Sequence, residues 1–403
     1  MHSSLDSCSV QQQSQQRNQF QMHHRASSCI LVLFITLTQC ATIHAQSSRH
    51  APAYTSVSTL SNPRLRTAIE DPFRKEIIFA DQAELQIVPA ASIDPNAPNT
   101  TTKANDQTPD TPGEITLWNP SKPTLRVPIP FPQITSLTLS PNGERLLVAG
   151  GFPGERGCVA CYDWNARTLI GVYDTDAKDQ QISDIITDAQ WSQDGKAWIE
   201  SHWSGKAVIR NIGGNSICEF TGHTGPVLTA IFWSSEIAIS AGVDQSIKVW
   251  WTSERLAEGT ERLIRSLDNH TAPVIELLRY QPDGVAPRLI SSSQDQTVRL
   301  WDPQIGRMIR FARLKSPPGA IALTPGKNSL LVATEAGEAS KWGLPLFEQQ
   351  GTWKLGGRYP RSILFDPLTE QPRVLSAIPN GTDASPNPFA APPRPLAGEG
   401  AGG

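Results

Sequence analysis

The chain has 403 residues and a formal net charge of −3, with 18% charged residues, 33 Pro and 29 Gly. That balance argues against a nucleic-acid or anionic-membrane binder, which shows a basic excess. High Pro and Gly with modest charge predict many turns and few long helices, so the length fits two or three ordinary domains or one large all-β domain.

The first segment reads as a leader. A polar, Gln-rich run from Gln11 to Gln21 gives way to Met22-His23-His24-Arg25, then to an apolar stretch from Cys29 to Leu37 and to Ala45. A basic flank, a short apolar centre and a small residue before a cleavage point are the order of a secretory signal. The apolar centre falls short of the roughly 20 residues that span a bilayer. The expectation is a signal peptide over 1–45, with Met22 as a candidate start, and an exported protein, periplasmic or extracellular. Leu37-Thr38-Gln39-Cys40 departs from a lipoprotein box, because Gln39 stands where a small residue belongs.

Three of the six Cys lie in this leader, which leaves Cys158, Cys161 and Cys218. That set is too sparse for a disulfide framework. Cys158-Val159-Ala160-Cys161 sits in an alternating segment, where i and i+3 point to opposite faces of a strand. It reads as structural. Residues 91–112, rich in Pro, Asn, Thr and Asp, read as a disordered insertion, and Asn99-Thr100-Thr101 there fits a glycosylation acceptor.

All eleven Trp fall between Trp118 and Trp353, and several close the same short pattern. Gly113-Glu114-Ile115-Thr116-Leu117-Trp118, Gln245-Ser246-Ile247-Lys248-Val249-Trp250 and Gln296-Thr297-Val298-Arg299-Leu300-Trp301 match, and Gly337 to Trp342 is a weaker copy. Variants end at Tyr162-Asp163 and Arg210-Asn211, so the closing positions recur about every 40 to 50 residues. A strand running into a Pro or Asp-Gly turn precedes them at Leu139-Ser140-Pro141-Asn142-Gly143, Tyr280-Gln281-Pro282-Asp283-Gly284 and Leu323-Thr324-Pro325-Gly326. Each unit is a set of four short strands, with no helical stretch of any length.

The chain resembles the WD-repeat β-propellers, whose repeats build four-stranded blades. Gly222-His223, Ser240, Asp244 and Trp250 carry the strongest match, and His270, Ser291, Asp295 and Trp301 repeat it with the same Ser-to-Asp and Asp-to-Trp offsets. In that family these positions form a chain of hydrogen bonds from Trp through Ser and His to Asp. Departures are Trp251 after Trp250, Asn269 in place of Gly before His270, and the missing His of other repeats, which the resemblance leaves to apolar packing. The predicted fold is an all-β propeller of four-stranded blades over 46–380, seven-bladed with six as the alternative. A segment near Tyr54 to Leu60 is expected to complete the last blade, and 381–403 is a disordered Pro/Ala/Gly tail.

Catalytic readings are weaker. His223, Ser240 and Asp244 contain the residue types of a triad, but two copies tied to a Trp at fixed offsets point to a structural network. Gly150 to Gly157 resembles a phosphate loop in composition only, with no helix N-terminus behind it. Four His in 46–403, two of them in tetrads, leave a metal site short of ligands. The basic run Arg307, Arg310, Arg313 and Lys315 winds around an outer strand and does not form one nucleic-acid face.

The expected activity is therefore non-enzymatic binding of a protein or peptide, with no cofactor. The family resemblance places the binding face at Thr224, Val243, Thr271, Gln294, Trp203 and Glu335, with Trp203 as the anchor. The alternatives are a cofactor-binding propeller enzyme such as a quinone-dependent dehydrogenase, and a structural part of an envelope assembly.

Overall fold

A computed structural model describes residues 58–376 apart from 62–66, 81–83, 90–114, 117–124, 153–155, 175–183, 254–261, 283, 356–358, 366 and 368–369. The chain divides into two units, Met1–Ala53 and Tyr54–Gly403, and every described residue belongs to the second. The leader at 1–45, the insertion at 91–112, the tail at 381–403 and the acceptor at Asn99 lie outside the described residues.

The described residues form strands joined by turns. The first are β1 (Ser58–Ser61), β2 (Thr67–Asp71), β3 (Glu76–Ala80), β4 (Glu84–Pro89), β5 (Ile115–Thr116) and β6 (Leu125–Pro128). The second sheet holds β7 (Gln133–Leu139), β8 (Arg145–Phe152), β9 (Arg156–Asp163) and β10 (Thr168–Asp174). The third holds β11 (Ile186–Trp191), β12 (Ala197–His202), β13 (Lys206–Asn211) and β14 (Ser216–Thr221). The fourth holds β15 (Val227–Phe232), β16 (Ile237–Gly242), β17 (Ile247–Trp251) and β18 (Leu263–Leu267). The fifth holds β19 (Val274–Tyr280), β20 (Arg288–Ser293), β21 (Thr297–Asp302) and β22 (Arg307–Arg313). The sixth holds β23 (Pro318–Leu323), β24 (Ser329–Thr334), β25 (Glu338–Gly343) and β26 (Glu348–Lys354), and β27 (Pro360–Phe365) and β28 (Pro372–Ser376) follow.

These strands make seven four-stranded sheets among the described residues, so the fold is an all-β propeller. The first strand of each sheet neighbours that of the next, from β2 through β7, β11, β15, β19 and β23 to β27, and β27 returns to β2. The last sheet has the order β27-β28-β1-β5: β28 pairs in parallel with β1 at Thr59↔Val374, and β1 in parallel with β5. Strands from the two ends of the described chain thus meet in one sheet, and an edge that would otherwise be open is paired.

This arrangement corrects the reading of Gly113 to Trp118 as the close of the first repeat. The first sheet is β2-β3-β4-β6, and β5 belongs with β1 instead. The reason is loop length. β2, β3 and β4 are joined by short connections and fill the first three places locally, where closing entropy is smallest. The first sheet begins at Thr67.

Apolar residues pack between neighbouring sheets. Middle strands are buried on both faces, as in β8 and β9, while outer β10 and β22 are largely exposed. Cys158 joins Leu146, Val148, Ala160 and Trp164 in the core against the first sheet, and Cys161 joins Leu147, Val159 and Trp198 in the core against the third. The CxxC pair therefore faces opposite ways, as strand alternation requires. Burial, and then a 3.1 Å hydrogen bond to Asp174, push the Cys158 thiol up to about 12.

Polar staples also cross between sheets. The Trp164 indole donates to Asp71 at 2.9 Å, and Asp71 also receives Arg74 at 3.0 Å. Asp188 on β11 accepts Ser136 of β7 at 2.7 Å and Thr229 of β15 at 3.0 Å, tying three first strands together.

Candidate functional site

The two tetrads occupy the fourth and fifth sheets. Trp250 on β17 lies opposite Ala238, and Ser240 lies two residues further along β16, opposite Lys248. Both therefore share one face, and the indole reaches diagonally across to the hydroxyl. The Trp250 N–H donates to Ser240 Oγ at 2.8 Å, Ser240 Oγ lies 2.7 Å from His223 Nε2, and His223 Nδ1 lies 2.9 Å from Asp244 Oδ2. The fifth sheet repeats the pattern: Trp301 to Ser291 at 2.8 Å, Ser291 to His270 Nε2 at 2.8 Å, and His270 Nδ1 to Asp295 at 2.7 Å. With the Ser proton directed to Nε2 and the His proton on Nδ1, every donor in the chain has an acceptor.

Each Asp also organises its turn. Asp244 accepts the backbone N–H of Thr224 at 3.1 Å and of Ser246 at 3.2 Å, and Asp295 accepts those of Thr271 at 3.3 Å and Thr297 at 3.0 Å. Burial alone would raise the Asp244 carboxyl, but the His223 bond and charge and the turn donors outweigh it and hold the group at about 2. Asp295 is lowered in the same manner. Burial, set against Asp295, lowers His270 and keeps it neutral. Ser240 and Ser291 are fully buried, so neither hydroxyl can meet a substrate.

The third sheet answers the same structural need differently. In the register of the fourth sheet, Glu200 stands at the place of Ser240 and Arg210 at the place of Trp250, because Arg210 lies opposite Trp198. Arg210 Nε donates to the Glu200 carboxylate at 2.9 and 3.0 Å, and the Trp198 indole donates to it at 2.7 Å. His202 Nδ1 lies 2.9 Å from Asp184 Oδ2, and its Nε2 lies 3.4 Å from Glu200 Oε2. Asp184 also accepts the Ser204 N–H at 3.0 Å. Burial opposes charge on His202, yet Asp184 and Glu200 prevail and raise its pKa; against burial, His202 with Ser204 lowers the Asp184 carboxyl, and His202 with Arg210 and Trp198 lowers that of Glu200. The expectation that repeats without the tetrad His rest on apolar packing alone is thus corrected for this sheet. Its signal was Glu200, His202 and Arg210 set among Trp198, Ile199, Val208 and Ile209 of one hairpin.

Trp203, Val243, Gln294 and Glu335 occupy equivalent places, each the first residue after the second strand of its sheet. Each donates its backbone N–H to the carbonyl just before the first strand: Trp203 to Ile185, Val243 to Pro226, Gln294 to Pro273, Glu335 to Pro317, all at 2.9 Å. Two residues on, the turn needs a left-handed backbone, supplied by Gly205 (φ 92°) and Gly337 (φ 83°) but also by Gln245 (φ 68°) and Gln296 (φ 63°). All four residues are half-buried, and Thr224 and Thr271 beside them are exposed. The six therefore lie at one end of the strands. Among the described residues no ring packs on Trp203, and its indole N–H has no acceptor.

Comparison with known proteins places these repeats. The model of the WD domain, G-beta repeat, matches residues 214–250 and 261–302, which contain most of the two tetrad sheets, and the chain carries repeats of that family. The ribosome biogenesis protein YTM1 of Kluyveromyces lactis is 26% identical over 177 residues, 39% of this chain and 38% of that protein. The COMPASS component SWD3 of Saccharomyces cerevisiae is 24% identical over 177 residues, 44% of this chain and 50% of that protein. The chain thus spans half or less of the length of these curated relatives. A chain in the crystal structure of the mitotic checkpoint complex superposes with a TM-score of 0.48 at 18% identity, over 58% of this chain and 66% of that one.

These relatives overturn the expectation of an exported, bacterial-type protein, periplasmic or extracellular. They are eukaryotic, a ribosome biogenesis protein and a COMPASS component, and not exported proteins. The physical reason for the misreading is that a short apolar run behind a basic flank is a composition signal, which a chain can carry without being secreted. The described cysteines, Cys158, Cys161 and Cys218, are buried and form no disulfide. Among the described residues no helix is long and apolar enough to cross a membrane.

Proposed function

We propose that residues 46–380 form a seven-bladed WD-repeat propeller that works without catalysis, as an intracellular scaffold holding a protein or peptide partner. The relatives support the scaffold reading, because their names place them in ribosome biogenesis and in COMPASS. The partner-binding face on this reading is the strand end that carries Trp203, Thr224, Val243, Thr271, Gln294 and Glu335. The two tetrads, and the ionic network of the third sheet, act as rigid mounts that hold its turns in place.

Trp203 carries the proposal. The residue is half-buried, and among the described residues its ring has no stacking partner and its indole N–H no acceptor. A Trp of this kind supplies a large apolar contact with a polar handle at little conformational cost. Glu335, raised by burial, adds an acceptor at the equivalent turn of the sixth sheet.

The test is capture of partners from a lysate of the source organism on immobilised protein, with wild type beside Trp203→Ala. The expected result is loss of specific partners in the variant at unchanged melting temperature. Retention of every partner by Trp203→Ala and by a combined Trp203→Ala/Glu335→Lys variant overturns this face.

A further inference from the structure

Two of the exposed large apolar side chains, Ile309 (36%) and Phe311 (53%), lie on β22, the outer strand of the fifth sheet. Among the described residues β22 pairs only with β21, so its other edge presents unpaired main-chain donors and acceptors. The same seven-residue strand carries Arg307, Arg310 and Arg313, all exposed. Nearby acids are already engaged: Asp302 with Arg288 at 3.1 Å, Asp295 with Arg299 at 3.0 Å, and Glu338 with Lys315 at 3.3 Å. Among the described residues none of the three guanidinium groups is paired with an acid, on one edge of a chain whose net charge is −3.

The register sorts these side chains by face. Arg310 lies opposite Leu300 and Arg307 opposite Asp302, on the face turned toward the sixth sheet, where Leu300 packs. Phe311 lies opposite Arg299 and Met308 opposite Trp301, on the face turned toward the fourth sheet. A bulge between Leu300 and Trp301 leaves Ile309 as the extra residue and keeps both arginines on one side. The edge thus carries Arg307 and Arg310 on one face, and Met308 and Phe311, followed by Arg313 opposite Thr297, on the other. Arginines on an edge also reject a second copy of the same strand, since Arg would meet Arg.

We propose that β22 is a docking edge for an extended acidic segment of a partner protein, in which acidic and apolar side chains alternate. Main-chain bonds to the free edge would supply the pairing; the acidic residues would meet Arg307 and Arg310, and the apolar ones Phe311 and Ile309. This surface is separate from the strand end that carries Trp203.

Fluorescence anisotropy with a labelled nine-residue peptide of alternating Glu and Val tests it. Companion probes are the same peptide with alternate amides N-methylated, a peptide of equal composition with the alternation broken, and a single-stranded RNA. The alternating peptide is expected to bind saturably, and Arg307→Glu/Arg310→Glu or Phe311→Ser to weaken it by about tenfold or more. N-methylation and broken alternation are expected to weaken it similarly on the wild-type protein, which removes any dependence on how a variant folds. Trp203→Ala is expected to leave this binding unchanged, so its failure and that of the Trp203 face are told apart. No saturable binding, equal binding of the N-methylated or broken peptide, or tighter binding of RNA overturns the proposal.

Discussion

The fourth and third sheets solve one problem with opposite chemistry. Both must fix the turn after the second strand and fill the same buried position between strands. The fourth does so with Trp250, Ser240, His223 and Asp244, a single line of hydrogen bonds ending on one carboxylate. The third sets Arg210, Glu200, His202 and Asp184 there, with Glu200 fully buried. The difference teaches that this repeat holds a buried polar network at that site and does not demand one particular set of residues. It also predicts different modes of failure, because an ionic network that loses a member leaves charge behind.

The largest effect is expected from Glu200→Ala, which strands Arg210 and the Trp198 indole without their shared acceptor. A loss of about 3–5 kcal/mol in unfolding free energy is expected from urea titration, as for breaking a buried ion pair. A loss below about 1 kcal/mol would show that the third sheet does not depend on this network. Asp295→Ala comes next. It leaves His270 Nδ1 and Thr297 without an acceptor in a buried turn and is expected to cost about 1–3 kcal/mol, read in the same titration. Wild-type melting in this variant would remove the tetrad from the stability of the fifth sheet.

Dependence on pH sharpens the contrast. The raised pKa of His202 means that its contribution is full below its ordinary value of 6.5 and is lost as pH rises through the folded value. Asp184 and Glu200 are lowered, so their contribution is full above the ordinary values of 3.8 and 4.5 and is lost as pH falls through the folded ones. In the fifth sheet His270 is lowered, so its contribution is present above 6.5 and lost as pH falls. Hydrogen exchange corrected for intrinsic rate should therefore show β12 and β13 losing protection as pH rises above neutral, while β20 and β21 stay level. Equal behaviour of the two sheets would break the comparison. The smallest effect is expected at the turns: Gln296→Gly replaces a side chain at φ 63° with the residue type found at Gly205 and Gly337. A gain of under about 1 kcal/mol is expected from thermal melting, as strain relief is offset by greater freedom in the unfolded chain.

Much of this was legible in the residues. Both tetrads could be read because Ser, Asp and Trp recur at fixed spacing, and strand register turns fixed spacing into shared faces. The turns at Trp203, Val243, Gln294 and Glu335 were placed by the family resemblance. The third-sheet network was not legible, since Glu200 and Arg210 replace Ser and Trp by residues of another class, and only register identifies them as equivalents. Asp71 with Trp164 was hidden too, because its partners lie 93 positions apart in different sheets.

The sequence by itself determined the repeats, the four-strand unit and the polar lines within a sheet, because these follow from local periodicity and short connections. Tertiary structure decided which strand closes which sheet. Ile115 and Thr116 carry the ending of a first repeat, yet they pair with β1, because the short β2–β4 connections had already filled the local positions. It also decided which charges are paired with an acid. The arginines of β22 look like any basic run until Asp302, Asp295 and Glu338 are seen to be occupied by other cations. Ion pairing depends on distance in space, and a sequence records only distance along the chain.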